Sequence, residues 1–366
     1  MTENESLLIL NAIDGLGPIR TKELLSHFSS AQNILKASQE DFSFTSRIPR
    51  KVIQNIFDFK KDEFLKKEYE LIKKHNVDIY SIFQEQYSKN LKNIFDAPIV
   101  LYVKGSLKSI DDQAISIVGS RRSSIYGTSI AEKFAMQLCD YNITVISGMA
   151  RGIDTAAHRG ALRARGRTIA VLGSGIANIY PAENTKLSEE ISKNGAVISE
   201  FSMQTKPLAS NFPRRNRIVS GLSLGVIVVE AAKRSGALIT SDCALEQGRE
   251  VFAVPGKVDT PSAQGVNNLI KQGAKLVSCV EDVLEDLNIE LRNASKKEVK
   301  NCFDSVDLNL GQIENKILNQ ISLKPIHLEQ ILEFTEYSVS QASSALLSLE
   351  LKHLIRQLPG KLFVRT

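Results

Sequence analysis

Residues 95–288 are predicted to form an α/β fold, a mostly parallel sheet with helices on both faces, and three observations support this. Short, nearly continuous apolar runs recur along the chain, helical stretches separate them, and glycine-containing turns follow the ends of several runs. The expected strands are Ile99–Val103, Ala114–Val118, Thr144–Ile146, Thr168–Leu172, Ala196–Ile198, Gly225–Glu230 and Val251–Val254, with Ser129–Asp140 and Thr155–Arg165 among the intervening helices. Ligands of such sheets bind at the carboxyl ends of the strands, so the turns after these runs are where chemistry is expected.

Residues 1–80 read differently, as short amphipathic helices. Leu7 to Ile13 and Thr21 to Phe28 carry apolar faces on either side of Gly15-Leu16-Gly17-Pro18, the pattern of a helix-hairpin-helix unit whose turn amides can face a phosphate. An ordinary tight turn between two helices fits the same residues. Residues 289–309 are polar and of mixed charge, as in a linker. In residues 310–366, helical spacings around Ile313–Ile321, Leu328–Leu332 and Val339–Leu354 precede a Pro359-Gly360 hairpin, which describes a winged helix. From residue 312 onward 6 Lys/Arg stand against 5 Asp/Glu, so a protein-binding or capping role fits that unit at least as well as DNA binding.

The 366-residue chain is 43% hydrophobic and 24% charged, in the range of ordinary globular proteins. The acidic start Met1-Thr2-Glu3-Asn4-Glu5 is not a basic-then-apolar leader, and no apolar run approaches the ~18 residues that span a bilayer, so a soluble cytoplasmic protein is expected. Cys139, Cys243, Cys279 and Cys302 show neither CxxC spacing nor clustering with the five histidines, so buried or inert thiols are expected, with no zinc site and no disulfide framework. The net charge of +5 is unevenly spread, since residues 114–280 hold 20 Lys/Arg against 12 Asp/Glu. The middle of the chain is therefore the part suited to anions.

Four turns in that region carry anion-binding residue types. Gly119-Ser120-Arg121 follows one strand, where glycine permits close backbone approach and the arginine adds a charged fork. Ser147-Gly148-Met149-Ala150-Arg151-Gly152-Ile153-Asp154 repeats the logic after the next strand; Asp154 and His158 sit one helical turn apart and read as a helix-capping aspartate with a partner histidine. Asn211-Phe212-Pro213-Arg214-Arg215-Asn216-Arg217 is the densest, and guanidinium groups match phosphate oxygens bidentately. In this expected loop Asn211 and Asn216 orient Arg214 and Arg217 toward the ligand, leaving Arg215 solvated. Lys233, Arg234, Ser235 and Gly236 lie at the same sheet edge after Glu230. No turn matches the Gly-x-Gly-x-x-Gly nicotinamide fingerprint and no Walker lysine is present, so no cofactor is expected.

These motifs, together with Thr168–Gly175, Tyr180-Pro181-Ala182-Glu183-Asn184, Ser235–Thr240 and Gly248–Gly256, make residues 98–287 resemble the DNA-processing protein A family, also called Smf. The flanking units look like the family's long form, a small helical helix-hairpin-helix or SAM-like domain and a winged helix. The resemblance implies an extended Rossmann-like domain that binds single-stranded DNA with little sequence preference, dimerises, and helps load a RecA-type recombinase during natural transformation, without catalysis. Carried onto this chain, it implies a DNA site of Gly119, Ser120, Arg121, Ser147, Gly148, Asn211, Phe212, Pro213, Arg214, Asn216, Arg217, Ser235 and Gly236. Some members have a basic residue directly after Tyr-Pro; Ala182 stands there here, so that contact is lost or moved to Lys186. With one aromatic candidate, Phe212, electrostatics should dominate binding. Leu238, Ala244, Leu245 and Leu269 are available to a dimer interface, and core packing explains them equally well.

Two rivals compete. Nucleotide phosphoribohydrolases of the lysine-decarboxylase-like family share a similar sheet and Gly-Ser-Arg turn, but their Pro-Gly-Gly-x-Gly-Thr-x-x-Glu signature is absent and Glu230–Thr240 stands in its place. A protein-bridging adaptor would instead fail to bind an oligonucleotide at low salt.

Overall fold

A computed structural model of the chain describes residues 1–42, 48–289, 311–322, 325–335, 337–352 and 354–365. Two compact units divide at Leu291, Met1–Leu291 and Arg292–Thr366. The expected linker and Cys302 lie almost wholly or entirely outside the described residues.

The first unit begins with helices α1 (Glu3–Ala12), α2 (Pro18–Phe28), α3 (Ala31–Lys36), α4 (Arg50–Asp58) and α5 (Lys61–His75). Thr2 and Glu5 form a capping box at the start of α1, and Pro18 opens α2 where its missing N–H costs nothing. The turn between them is the expected glycine hairpin: Gly15 has φ +78°, and Arg20 Nη1 donates to its carbonyl at 2.5 Å. These helices pack with the sheet in one unit. Asn11 Nδ2 donates to Glu200 O at 2.8 Å, Met203 N to Glu68 Oε1 at 2.9 Å and Lys22 Nζ to Phe95 O at 3.2 Å.

The remaining elements are β1 (Asp78–Ser81), α6 (Lys89–Lys92), β2 (Val100–Gly105), β3 (Ala114–Val118), α7 (Ile125–Asp140), β4 (Thr144–Ser147), α8 (Ile153–Arg163), β5 (Thr168–Val171), α9 (Thr185–Asn194), β6 (Ala196–Ser199), α10 (Asn211–Gly221), β7 (Gly225–Val228), α11 (Gly236–Glu246), β8 (Glu250–Ala253), α12 (Gln264–Lys271), β9 (Lys275–Leu276) and α13 (Val280–Asp286). They build a nine-stranded sheet in the order β1-β2-β6-β5-β4-β3-β7-β8-β9. Pairing is parallel from β6 to β9 and antiparallel only at β1–β2 and β2–β6. All seven expected strands are present. The two edge strands β1 and β9 escaped the sequence reading, both being short, β1 with only Ile79 and Tyr80 apolar and β9 exposed.

Strands β3 to β7 are buried on both faces, which is why they read as unbroken apolar runs. One core cluster joins the N-terminal helices to the β5–β6 face, with Leu7, Leu10, Leu24, Leu101 and Tyr102 fully covered. The other packs α7, α8 and α13 against β3, β4 and β8 around Phe134, Leu138 and Phe252. Each such side chain contributes about 1.5–3 kcal/mol on burial.

The second unit contains α14 (Gln312–Gln320), β10 (Ile326–His327), α15 (Leu328–Thr335), α16 (Val339–Leu351), β11 (Ile355–Leu358) and β12 (Leu362–Arg365), with sheet order β10-β12-β11. Gly360, at φ +86°, turns the β11–β12 hairpin of the expected winged helix. Among the described residues no helix is long and apolar enough to cross a membrane, and no group of three His, Cys, Asp or Glu side chains could hold a metal. Cys139, Cys243 and Cys279 are unbridged and half-buried, and burial raises the Cys139 thiol to about 12.

His158 departs from the sequence reading. Its recorded partner is Thr168 on β5, with Nδ1 and Oγ1 2.7 Å apart, while Asp154 accepts from the Ala150 N–H. Because Thr168 Oγ1 donates its only proton to Val145 O, His158 must donate from Nδ1, which leaves buried Nε2 unpartnered among the described residues. A second proton would lie in an apolar interior near Arg215, so burial first and Arg215 second pull this imidazole down to about 3. A depressed histidine pKa stabilises the fold above its unfolded value of ~6.5 and loses that contribution as pH falls, by up to about 1.4 kcal/mol per unit. Urea unfolding should therefore show stability declining from pH 6.5 toward 4.5, and the decline should flatten in His158→Leu.

Candidate functional site

The chain runs from β3 outward to β6 in one direction, then α10 carries it back to β7 on the other side of β3. The order reverses there, and the carboxyl ends of β6, β5, β4, β3, β7 and β8 share one edge. That crevice is the position where an open α/β sheet receives its ligand.

The turn after β3 is tied directly to the one after β7. Ser120 N donates to Glu230 O at 2.6 Å, while Glu230 Oε2 accepts from both N and Oγ of Ser124, each at 3.0 Å. Ser124 is the N-cap of α7, its Oγ accepting from Gly127 N at 2.9 Å. A buried carboxylate of the protein thus occupies the start of α7, where an α/β fold ordinarily seats a phosphate. Gly127 is needed for it, since a Cβ there would collide with Glu230 Oε2.

The turn after β4 is also closed from within. Ile153 N, opening α8, donates to Ser120 O at 3.2 Å, and Asp154 Oδ2 accepts from Ala150 N at 3.2 Å. Burial raises the Asp154 carboxyl against the opposing pull of Arg215. Ser147 is buried and donates through Oγ to Ile117 O at 2.6 Å. Gly148 is covered by the Arg215 guanidinium, which a Cβ there would strike.

Residues 211–217 form the first turns of helix α10, correcting the expectation of a loop. Pro213 hid it: proline reads as a breaker, yet in a first turn it removes no intrahelical bond. The helix buries two of its three arginines and exposes one. Arg214 is exposed, with its guanidinium carbon 5.1 Å from the centre of the Phe201 ring. Arg215, expected to be solvated, is only 4% exposed; it points inward and donates from Nη1 to Val171 O at 3.0 Å. Burial lowers its pKa to about 10, with Asp154 opposing the shift, so it stays charged at neutral pH. Arg217 is buried too, paired with Glu200 and, at 3.1 Å, with Asp96, and it donates to Asp96 O at 2.6 Å. Asn211 Nδ2 donates to Lys206 O at 3.2 Å and Asn216 Nδ2 to Gly236 O at 3.2 Å, so both asparagines are engaged with main-chain carbonyls.

What faces outward is a smaller set. The Arg121 guanidinium lies 5.0 Å from the centre of the Phe212 ring, and Phe212 lies 5.7 Å from Tyr180. Phe212 is held against Gly173, where a Cβ would come within 2.8 Å of the ring. Arg121, Pro213, Arg214, Lys186 and Gly236 are exposed, and Gly119, Ser120, Phe212 and Ser235 half-exposed. Tyr180, 40% exposed and beside Phe212, was not among the expected site residues. The signal available was the Tyr-Pro pair soon after Gly173-Ser174-Gly175. Exposed Lys206, near the end of β6, was missed as well. Of the candidate interface residues, Ala244 and Leu269 are buried, Leu238 half-buried and Leu245 61% exposed.

The family model described as DNA recombination-mediator protein A matches residues 78–288, more than half of the chain. This chain belongs to that family. The DprA winged helix domain model matches residues 307–361. Protein Smf of Escherichia coli is 40% identical over 277 residues, 75% of this chain and 74% of that protein. The X-ray structure of DNA processing protein A from Streptococcus pneumoniae aligns with a TM-score of 0.67 at 35% identity, covering 78% of this chain and 98% of that one. A structure of the Helicobacter pylori protein, solved for its single-stranded DNA binding mode, aligns with a TM-score of 0.52 at 28% identity over 58% and 95%.

Buried Arg217 and exposed Arg121 should separate in stability measurements. Arg217→Ala strands a buried Glu200 whose pKa burial already raises, and should cost about 3–5 kcal/mol in urea unfolding. A carboxyl with a raised folded pKa destabilises more as pH rises through it, so the deficit should shrink toward pH 5. Arg121→Ala, at the surface, should stay within about 0.5 kcal/mol of the parent.

Proposed function

We propose that this family member holds single-stranded DNA across the carboxyl edge of its sheet and delivers it to a RecA-type recombinase during transformation, working as a homodimer and leaving the DNA chemically unchanged. The observation that carries this reading is the outward-facing stack of exposed Arg121, half-exposed Phe212 and exposed Tyr180. Single strands bind through phosphate neutralisation and sequence-tolerant stacking, and this stack supplies a cation and two aromatic faces in one place. Exposed Lys186, Lys206 and Arg214 extend the positive surface on the β5–β6 side. The binding mode described for the Helicobacter pylori relative supports the same ligand class. A nucleotide hydrolase is disfavoured because Glu230 fills the α7 terminus that would hold its substrate's phosphate.

Binding of a thymidine oligonucleotide of roughly 20 residues, followed by fluorescence anisotropy, tests the reading. Affinity should exceed that for a duplex of equal length and fall with salt at a log–log slope of about −0.7 per phosphate neutralised. Arg121→Ala and Phe212→Leu should each weaken binding by about 1–3 kcal/mol while the fold is retained. Equal affinity for duplex, insensitivity to salt, or full binding by both folded variants would contradict it.

A further inference from the structure

The carboxyl edge does not end at the Arg121 turn. β3, β7 and β8 are aligned in register, with Val118 opposite Val228 and Val228 opposite Ala253, so the turns that follow them emerge side by side. Hydrogen bonds join these turns into one surface. Ser120 N donates to Glu230 O at 2.6 Å, and Gly265 N, near the start of α12, to Ala231 O at 2.7 Å. Asn267 Nδ2 donates to Gly256 O at 3.0 Å and Asn267 Oδ1 accepts from Gly256 N at 3.2 Å. The approach is close, since a Cβ on Gly265 would come within 2.6 Å of Ala231 O and 2.7 Å of Ala232 O.

On this surface stand Arg122, Lys233, Arg234 and Lys257, all exposed. None is in an ion pair among the described residues, whereas Arg151, Arg163, Arg167 and Arg217 of the same unit are each matched to a carboxylate. The acidic residues of the three turns are buried Glu230, committed to Ser124, and exposed Asp259. Val258, beside Lys257, is 89% exposed and offers apolar surface to a sugar or base edge. Such unpaired cations along a pinned edge continue the electrostatic track of a single-strand binder.

We propose that a DNA strand seated on Arg121, Phe212 and Tyr180 continues over the ends of β7 and β8, on Arg122, Lys233, Arg234 and Lys257, and that this second arm sets the length of DNA the domain covers. The inference rests on the preceding reading of the central site. It makes the arm a phosphate-tracking surface without base preference, because its contacts are cations.

The test uses the full chain and thymidine oligonucleotides from about six to about twenty residues. The variant Arg122→Gln/Lys233→Gln/Arg234→Gln/Lys257→Gln, substituted only at exposed positions, is expected to fold as the parent does. It should bind the shortest oligonucleotide with unchanged affinity but gain less with length, binding the longest on the order of tenfold more weakly. Its salt slope on the longest should be shallower by about 2–3. A control with the same charge change elsewhere, Lys66→Gln/Lys73→Gln/Lys74→Gln/Lys193→Gln, should follow the parent at all lengths. Parent-like length dependence in the arm variant, or an equal loss at every length, would overturn the proposal. Arg121→Ala separates the two readings: if it binds the shortest oligonucleotide as the parent does, the central site is wrong whatever the arm shows.

Discussion

A single buried guanidinium fixes the geometry on which the site depends. Arg215 leaves α10, covers Gly148 at the end of β4, donates to Val171 O at the end of β5 and faces Asp154 at the start of α8. It therefore registers two strand ends and one helix against the helix that carries Phe212 and Arg214. Arginine suits the position because its guanidinium is weakly hydrated and keeps its charge when buried. Burial costs several kcal/mol in solvation, offset here by the Val171 carbonyl and the neighbouring carboxylate. Gly148 follows from the same constraint, since any side chain there would displace the cation.

Around this anchor the protein closes its own polar termini. The amides at the start of α7 meet Ser124 and Glu230, and the first amide of α8 meets Ser120 O. A fold that ordinarily offers helix ends to a nucleotide phosphate has filled them from within. What remains available to a ligand is side-chain chemistry on the rim, cations and aromatic faces. That inventory fits a polymer tracked along its backbone better than a small nucleotide enclosed at one point.

Much of this was legible in the sequence. Strands buried on both faces leave unbroken apolar runs, and the glycine turns that follow them mark the edge where a ligand binds, so sheet, edge and Arg121 could be placed without coordinates. The inward roles of Arg215 and Arg217 could not. Their partners Asp154, Glu200 and Asp96 lie far away in the chain, and whether consecutive arginines share a face depends on whether the segment is a helix or a loop, which Pro213 obscured. His158 shows the same limit, since helical spacing pointed to Asp154 while the sheet supplied Thr168. Tyr180 went unread because its value as a stacking face arises only when Phe212 is folded beside it.

The most direct test of the central claim is photochemical cross-linking of the full chain to a bromodeoxyuridine oligonucleotide, with the adducts mapped by mass spectrometry. A strand lying on the Arg121, Phe212 and Tyr180 stack should leave adducts on Phe212 or Tyr180. Adducts confined to residues 3–75 or 311–365, with none on those two rings, would contradict the account.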